Sequence, residues 1–154
     1  KWAFEVLYEL GIEIDSSVFP ARRSHGGFAK YGTAEPSILN YNGAQLKEFP
    51  INAYSVLTKP IIFSGGGYFR LFPYNTIKSF TKKSNYVMSY FHPRDFDPTQ
   101  PIINDLSLQR KFKSYVGLNA SQKKIITWLH DFDFTDISDA NDSIDWHKVK
   151  QIEL

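Results

Sequence analysis

The chain has 154 residues, enough for one domain with a sizeable core, and its formal net charge is only +2. This small charge, with lysines scattered along the chain, excludes the electrostatic surface of a nucleic-acid partner, and the absence of cysteine excludes disulfides, thiolate catalysis and Cys-ligated zinc. No apolar run approaches the roughly 20 residues of a membrane span, so we expect none. The sequence leaves the cellular compartment open.

The chain opens with a predicted helix followed by a predicted strand. Apolar residues recur at helical spacing at positions 2, 6, 7 and 10, and Gly11 is a typical residue just beyond a helix end. Residues 12–15 then alternate between isoleucine and acidic side chains, which predicts a strand that ends at Asp15. Because the chain starts inside this helix without a methionine or a signal peptide, we expect it to be the later part of a longer polypeptide.

Residues 22–43 are rich in Gly, Ser, Asn and Tyr, and we expect a long ordered loop there. Three residues of this loop, Arg22, Arg23 and His25, suit either an anionic ligand or a solvated basic surface. A short strand is predicted over residues 45–51.

Three glycines, Gly65 to Gly67, separate two mainly apolar segments, residues 61–64 and residues 68–71. A segment without side chains lets a ligand or a neighbouring backbone approach closely. The segment is not a phosphate loop, because no Gly-Lys-Ser/Thr follows it. The alternative to a ligand site is a bulge or a tight turn between two strands.

Residues 86–91 favour a strand, and Pro93 cannot continue a central one, so His92 is predicted to lie at a strand end. Side chains two apart share a face, which places Met88, Tyr90 and His92 together. Parallel α/β folds do their chemistry at the carboxyl ends of strands, and imidazole exchanges protons near neutral pH. His92 is therefore the first candidate acid or base, and a structural histidine is the alternative.

The remaining predicted elements are mostly helical. Pro73 suits the first turn of a helix, and two later apolar stripes at helical spacing are predicted to face the core. The stripes comprise Leu108, Phe112, Tyr115 and Val116, with Ser107 as cap, and Ile125, Ile126 and Leu129, with a capping box at Asn119 and Gln122. Residues 138–154 are polar and are predicted to form a tail or a peripheral strand.

Helices and strands alternate along most of the chain, which predicts a mostly parallel α/β layer or barrel. The number of strands is too small for a closed barrel.

Four segments of the chain resemble one family. They are Leu-Gly-Ile-Glu-Ile-Asp-Ser-Ser-Val-Phe-Pro (10–20), Glu-Phe-Pro (48–50), Gly-Gly-Gly-Tyr-Phe-Arg-Leu-Phe-Pro (65–73) and Tyr-Phe-His-Pro-Arg-Asp-Phe-Asp-Pro (90–98). Together they resemble the carboxyl-terminal half of bacterial polysaccharide deacetylases, which are NodB-type carbohydrate esterases, in the subgroup associated with exopolysaccharide and exosortase genes. The resemblance covers residues 2–137. It implies an α/β fold, a partial irregular (β/α)7 barrel over residues 1–137 whose amino-terminal strands and helices are missing, followed by residues 138–154.

The resemblance also implies an activity. Members of the family use a divalent metal, most often zinc, to remove N-acetyl or in some cases O-acetyl groups from polysaccharide sugars. The family's metal motifs precede the position where this chain begins, so the chain is expected to bind no metal and to be inactive alone. The implied partners are an acetylated polysaccharide or oligosaccharide, together with the missing amino-terminal half or a second copy.

The resemblance assigns roles to individual residues. His92 is expected to be the general acid that protonates the departing amine, and Asp15 is expected to hold its imidazole in one tautomer. The expected substrate-binding residues are Tyr90, Arg70, Gly66, Gly67, Tyr68 and Asp95. For Arg70 the alternative is a carboxylate partner, and for Asp95 it is a cap of the turn. A non-catalytic carbohydrate-binding or assembly domain on the same scaffold stays open as an alternative function.

Overall fold

The structure, a computed structural model, describes residues 2–21, 27–56 and 59–154. Arg22, Arg23 and His25 therefore lie outside the described residues. Two units are present: residues 1–61 with 136–154 form the sheet unit, and residues 62–135 form the helical unit. The fold is mixed α/β.

The described elements, in chain order, are α1 (Trp2–Glu9), β1 (Ile14–Asp15), β2 (Ser37–Tyr41), β3 (Ala44–Glu48), β4 (Tyr54–Val56), β5 (Lys59–Ile61), α2 (Gly66–Leu71), α3 (Tyr74–Lys82), α4 (Leu108–Tyr115), α5 (Leu118–Asp131), α6 (Ile137–Ser143) and β6 (Lys150–Glu153). Short 3₁₀ turns cover Ala29–Tyr31 and Pro93–Phe96.

The predicted first helix is confirmed as α1, and its end shows why glycine is needed there. Gly11 has a φ of 74° and donates its N–H to the Tyr8 carbonyl at 2.9 Å, while Ile12 donates to Leu7 at 3.0 Å. These two bonds satisfy carbonyls that the helix leaves without a partner. The chain then turns directly into β1.

The main sheet has the strand order β1-β3-β2-β6, in which β1 is parallel to β3, β3 is antiparallel to β2, and β2 is parallel to β6. The sheet is therefore mixed, with two parallel pairings and one antiparallel pairing. The antiparallel pairing is a hairpin between β2 and β3. Strands β4 and β5 form a separate antiparallel pair.

This hairpin also overturns part of the predicted loop over residues 22–43, because residues 37–41 form β2. Asn42 and Gly43 join the strands with φ angles of 48° and 83°, the left-handed conformation that tight hairpin turns require. Asn-Gly between two apolar runs is a strong hairpin signal. The polar composition of the wider segment concealed it.

The core of the sheet unit lies on one face of the main sheet. It is formed by side chains from α1, the segment after β1, the three longer strands and the first 3₁₀ turn: Phe4, Val18, Tyr31, Leu39, Leu46 and Ile152. Ile152 in β6 pairs with Leu39 in β2, so residues 150–153 form an edge strand and contribute to this core.

The core of the helical unit is aromatic. Phe63, Phe69 and Trp128 are fully buried, and the Phe69 ring meets Phe91 at 4.9 Å between centroids and Trp128 at 5.3 Å. The Trp128 indole N–H donates to the Thr81 hydroxyl at 2.9 Å, which satisfies its buried polar atom.

Two predictions of burial in this unit were wrong. Leu108 is 86% exposed and Phe112 is 56% exposed, and Ile126 and Leu129 are also exposed. Helix α5 instead buries Leu118, Ser121 and Trp128, which are spaced along another face of that helix. Helix α5 has Gly117 as its cap, so the capping box predicted at Asn119 and Gln122 was also wrong.

The predicted strand over residues 86–91 is an extended segment with one parallel bridge, between Gly65 and Tyr90. A longer ladder does not form because the neighbouring chain turns into α2 at Gly66. Residues 68–71, which follow the glycines, are thus helical and do not form a second strand.

Candidate functional site

His92 ends the extended segment with φ and ψ of −101° and 151°, and Pro93 directly starts the following 3₁₀ turn. The His92 side chain is exposed, and its Nε2 lies 2.9 Å from the Tyr90 hydroxyl oxygen. The two rings meet edge to face with centroids 4.9 Å apart. The structure therefore brings Tyr90 and His92 together on the face that alternation predicted.

The backbone beneath His92 is fixed by Asp95. The His92 N–H donates to Asp95 Oδ2 at 3.0 Å, and the Asp95 N–H donates to the His92 carbonyl at 2.9 Å. Asp95 is buried. These contacts favour the alternative in which Asp95 caps the turn, and they orient the backbone that supports the imidazole.

Arg70 forms an ion pair with Asp95. Its Nε lies 3.2 Å from Asp95 Oδ1, an ion pair without the alignment of a hydrogen bond, and both side chains are buried. The terminal nitrogens donate to backbone carbonyls of Lys113, Ser114 and Val116. Burial lowers the pKa of the Arg70 guanidinium, and the Asp95 charge opposes this effect. These contacts favour the expectation that Arg70 is a carboxylate partner over a role in binding substrate.

The glycines at positions 65–67 help to position the segment that ends at His92. A Cβ built at Gly65 would lie 2.1 Å from the Tyr90 carbonyl oxygen, so only glycine lets the two backbones approach this closely. Gly65 was not among the predicted site residues. Gly66 has a φ of 52° and begins α2, with Gly67 after it. Tyr68 follows on α2, half-exposed, with its ring stacked on Phe72 at 5.9 Å.

Asp15 lies at the end of β1 in the sheet unit, where Ser17 donates its hydroxyl to Oδ2 at 2.6 Å. His92 belongs to the helical unit. Asp15 and His92 therefore lie in different units, and the expected contact between their side chains stays a prediction.

Glu48, in the Glu-Phe-Pro segment of residues 48–50, is a titratable residue that was not among the predicted site residues. It pairs with Asp15 across β1 and β3, is fully buried, and accepts the Val18 N–H on Oε1 at 3.0 Å. Burial, and next the charge and hydrogen bond of Asp15, raise the pKa of Glu48 to about 9. A carboxyl with this pKa is neutral at pH 7.

A sequence model of one protein family, described as a domain of unknown function, DUF3473, matches residues 16–142. The chain belongs to the DUF3473 family. The match includes Glu48, Arg70, Tyr90 and His92 and begins one residue after Asp15. Searches of curated proteins and of solved structures gave no significant match to this DUF3473 chain.

The described residues of the DUF3473 chain do not by themselves fit a metal site, because they contain no group of three or more His, Asp or Glu side chains placed to bind one ion. In the same described part, no helix is both long and apolar enough to cross a membrane. A cleft of about 480 Å³ in the helical unit is lined by residues 98–100, 102, 115 and 117–120, and the predicted site residues do not line it.

Proposed function

We propose that this DUF3473 domain is the carboxyl-terminal part of a metal-dependent polysaccharide deacetylase and supplies His92 as its general acid. One observation supports this role above all. The exposed His92 imidazole is hydrogen-bonded through Nε2 to the Tyr90 hydroxyl, and the His92 backbone is fixed by the buried Asp95–Arg70 pair. Such rigid support is what a proton donor needs to meet a substrate in one orientation. Within this proposal the two units form part of an irregular (β/α)7 barrel.

The reaction that this histidine would serve is hydrolysis of an acetyl amide. Water adds to the carbonyl carbon, the C–N bond breaks, and the departing nitrogen takes a proton as acetate forms. In the proposal, His92 in its protonated form donates that proton. The Tyr90 hydroxyl, which is hydrogen-bonded to His92 Nε2, then has two available roles. It can fix the orientation of the imidazole ring, or it can relay the proton to the substrate.

The divalent metal of the proposed enzyme, zinc in the family that the chain resembles, would polarise the acetyl carbonyl. Because the described residues do not form a metal site, we assign none of them as a metal ligand and assign no step through the metal to this chain.

The proposed substrate is an acetylated polysaccharide or oligosaccharide. Two half-exposed aromatic rings in the helical unit, Tyr68 and Tyr90, are suited to stacking on sugar rings. Tyr68 is already held flat against Phe72, with an angle of 18° between the ring planes, so its orientation needs little further ordering.

The test uses the complete gene product that contains this domain, supplied with zinc and acetylated glucosamine oligomers, with acetate release as the readout. We expect His92→Ala to lower kcat by about 10² to 10⁴, the usual contribution of general acid catalysis. His130→Ala is the matched control, because His130 is an exposed histidine on α5, outside the proposed site. Absence of acetate release by the wild type, or an undiminished rate for His92→Ala, would contradict the proposal.

The alternative of a non-catalytic carbohydrate-binding domain has its own support in the Tyr68–Phe72 stack. It predicts that the wild type binds the same oligomers without releasing acetate, and that Tyr68→Ala weakens this binding while His92→Ala does not. Calorimetry on the two variants separates the functions.

A further inference from the structure

We propose that Glu48 is a positioning residue: it keeps its proton at neutral pH and donates it in a hydrogen bond to the Asp15 carboxylate, so that the two side chains form one singly ionised pair. The effect of this pair on catalysis rests on the proposed function. The pair itself is a property of the sheet unit and can be tested without any activity.

Strand pairing places the two carboxyls together. Asp15 and Glu48 are partners in the parallel ladder of β1 and β3, and the Phe49 N–H donates to the Asp15 carbonyl at 2.8 Å. Partners on neighbouring strands project to the same face with their Cβ atoms about 5 Å apart. At that spacing, two carboxyl groups reach hydrogen-bond distance.

The environments of the two carboxyls differ. Glu48 is fully buried, and its Oε2 has no donor among the described residues, whereas Oε1 accepts the Val18 N–H. Asp15 is partly exposed, and its Oδ2 accepts the Ser17 hydroxyl at 2.6 Å. A buried ionised oxygen without a donor is costly, so the proton belongs on Glu48 and the charge belongs on Asp15. A proton on Oε2 makes that atom a donor to Asp15.

Within the part of the chain that the structure describes, the other groups near this pair do not supply a competing cation. The Tyr31 hydroxyl is engaged with Ser37, the β2 partner of Glu48, at 2.7 Å, and burial raises the pKa of Tyr31 to about 12. Lys150 on β6 donates to the Gly32 carbonyl at 3.1 Å. Lys47 lies over the Trp146 ring, on the opposite side of β3 from Glu48 because successive strand residues alternate.

A neutral donor has a specific chemical consequence for Asp15. A lysine or arginine in the place of Glu48 would orient the carboxylate but cancel its charge. A protonated Glu48 orients the carboxylate and leaves a net charge of −1 on the pair, available to a cationic partner such as an imidazolium.

The direct test is titration of carboxyl groups by NMR in the whole chain labelled with ¹³C at Glu and Asp. We expect one glutamate to titrate far above the others, its signal to vanish in Glu48→Gln, and its midpoint to fall by about one unit or more in Asp15→Asn, which removes the neighbouring negative charge. If Glu48 titrates with the other glutamates, or if Asp15→Asn leaves its midpoint unchanged, the proposal is overturned.

Activity of the complete gene product tests the positioning role. Glu48→Gln keeps the acceptor for Val18 and a donor for Asp15, while Glu48→Ala loses both. We expect Glu48→Ala to lower kcat about tenfold or more with little change in KM, as for loss of a hydrogen bond to a charged group, and Glu48→Gln to recover most of that loss.

The outcomes separate the two proposals. A folded Glu48→Ala with full kcat, next to an inactive His92→Ala, overturns the positioning role and leaves the proposed function standing. No acetate release from any form, with Glu48 still titrating high, contradicts the function and leaves the pair standing. If Glu48→Ala fails to fold, the titrations of wild type and Asp15→Asn decide.

Discussion

At the scale of single residues, the Glu48 carboxyl determines the pH response that we expect of the sheet unit. Burial raises its pKa to about 9 in the folded state, from an ordinary value near 4.5. Between these two values, the folded chain holds a proton that the unfolded chain has released. The stability contributed by this group is therefore complete below the ordinary value and is lost as the pH rises towards about 9.

We predict that Glu48→Gln removes this pH dependence. The difference in free energy of unfolding between variant and wild type should grow in favour of the variant by up to about 1.4 kcal/mol per pH unit between pH 5 and pH 9. Urea unfolding of both proteins across this range measures it. The comparison cancels the titration of the histidines, which both proteins share, and parallel pH curves would contradict the prediction.

The sequence allowed His92 to be proposed as a site residue because its position before Pro93 and the alternation with Tyr90 are local features. Glu48 could not be assigned in the same way. Its protonation depends on the pairing of β1 with β3, which joins residues 33 positions apart, and on burial beneath that pairing. Arg70 shows the same limit, because its carbonyl partners lie more than 40 residues away along the chain.

At the scale of elements, the contact between Gly65 and Tyr90 sets the position of the segment that ends at His92. Tyr90 donates its N–H to the Ser64 carbonyl at 3.3 Å, and Ser64 donates its hydroxyl to the Met88 carbonyl at 2.7 Å. Direct hydrogen bonds therefore join residues 64–67 to the segment that ends at His92, although about 25 residues of sequence separate the two.

We predict that Gly65→Ala destabilises the protein by about 1–3 kcal/mol, the usual cost of overpacking, since its Cβ would overlap the Tyr90 carbonyl. Gly67→Ala is the matched control. Its Cβ would lie 3.5 Å from the nearest atom, and alanine in a helix is favoured over glycine by up to about 1 kcal/mol. Thermal unfolding compares the two, and equal losses of stability would show that the close approach does not matter.

Sequence patterns predicted the helices with clear periodicity and caps better than they predicted the strands. Ser107 caps α4 as expected, accepting the Arg110 N–H. In contrast, β2 was hidden inside a polar segment, and residues 86–91 lack the partner strand that their composition favours. Strand formation depends on a neighbour elsewhere in the chain, and a single sequence does not show that neighbour.

At the scale of the whole molecule, the sheet unit is assembled from two separate parts of the chain, residues 1–61 and 136–154. Strand β6 lies against β2 along the sheet, and Asn40 donates to the side chains of Gln151 and Glu153. The helical unit is continuous in sequence, so the two units depend differently on the last residues of the chain.

We predict that deletion of residues 150–154 destabilises the sheet unit and not the helical unit. Loss of the buried Ile152 alone should cost about 2–5 kcal/mol, as for other large core side chains. Hydrogen exchange should therefore accelerate in β2 and β3 more than in α3 and α5. Ile152→Ala should show the same pattern more weakly, and Lys148→Ala, an exposed change, should show none. Equal acceleration in both units would contradict this prediction.

The discontinuous sheet has a consequence during protein synthesis. Asn40 leaves the ribosome 113 residues ahead of its partner Glu153, an interval of roughly 6 to 23 seconds at usual translation rates. Throughout that interval, the nascent chain presents the β2 edge, with its apolar Ile38 and Leu39, without its final neighbour. Open strand edges of this kind favour pairing with other chains, so β6 covers the apolar β2 edge and leaves the polar residues Lys150, Gln151 and Glu153 on the edge strand of the finished sheet.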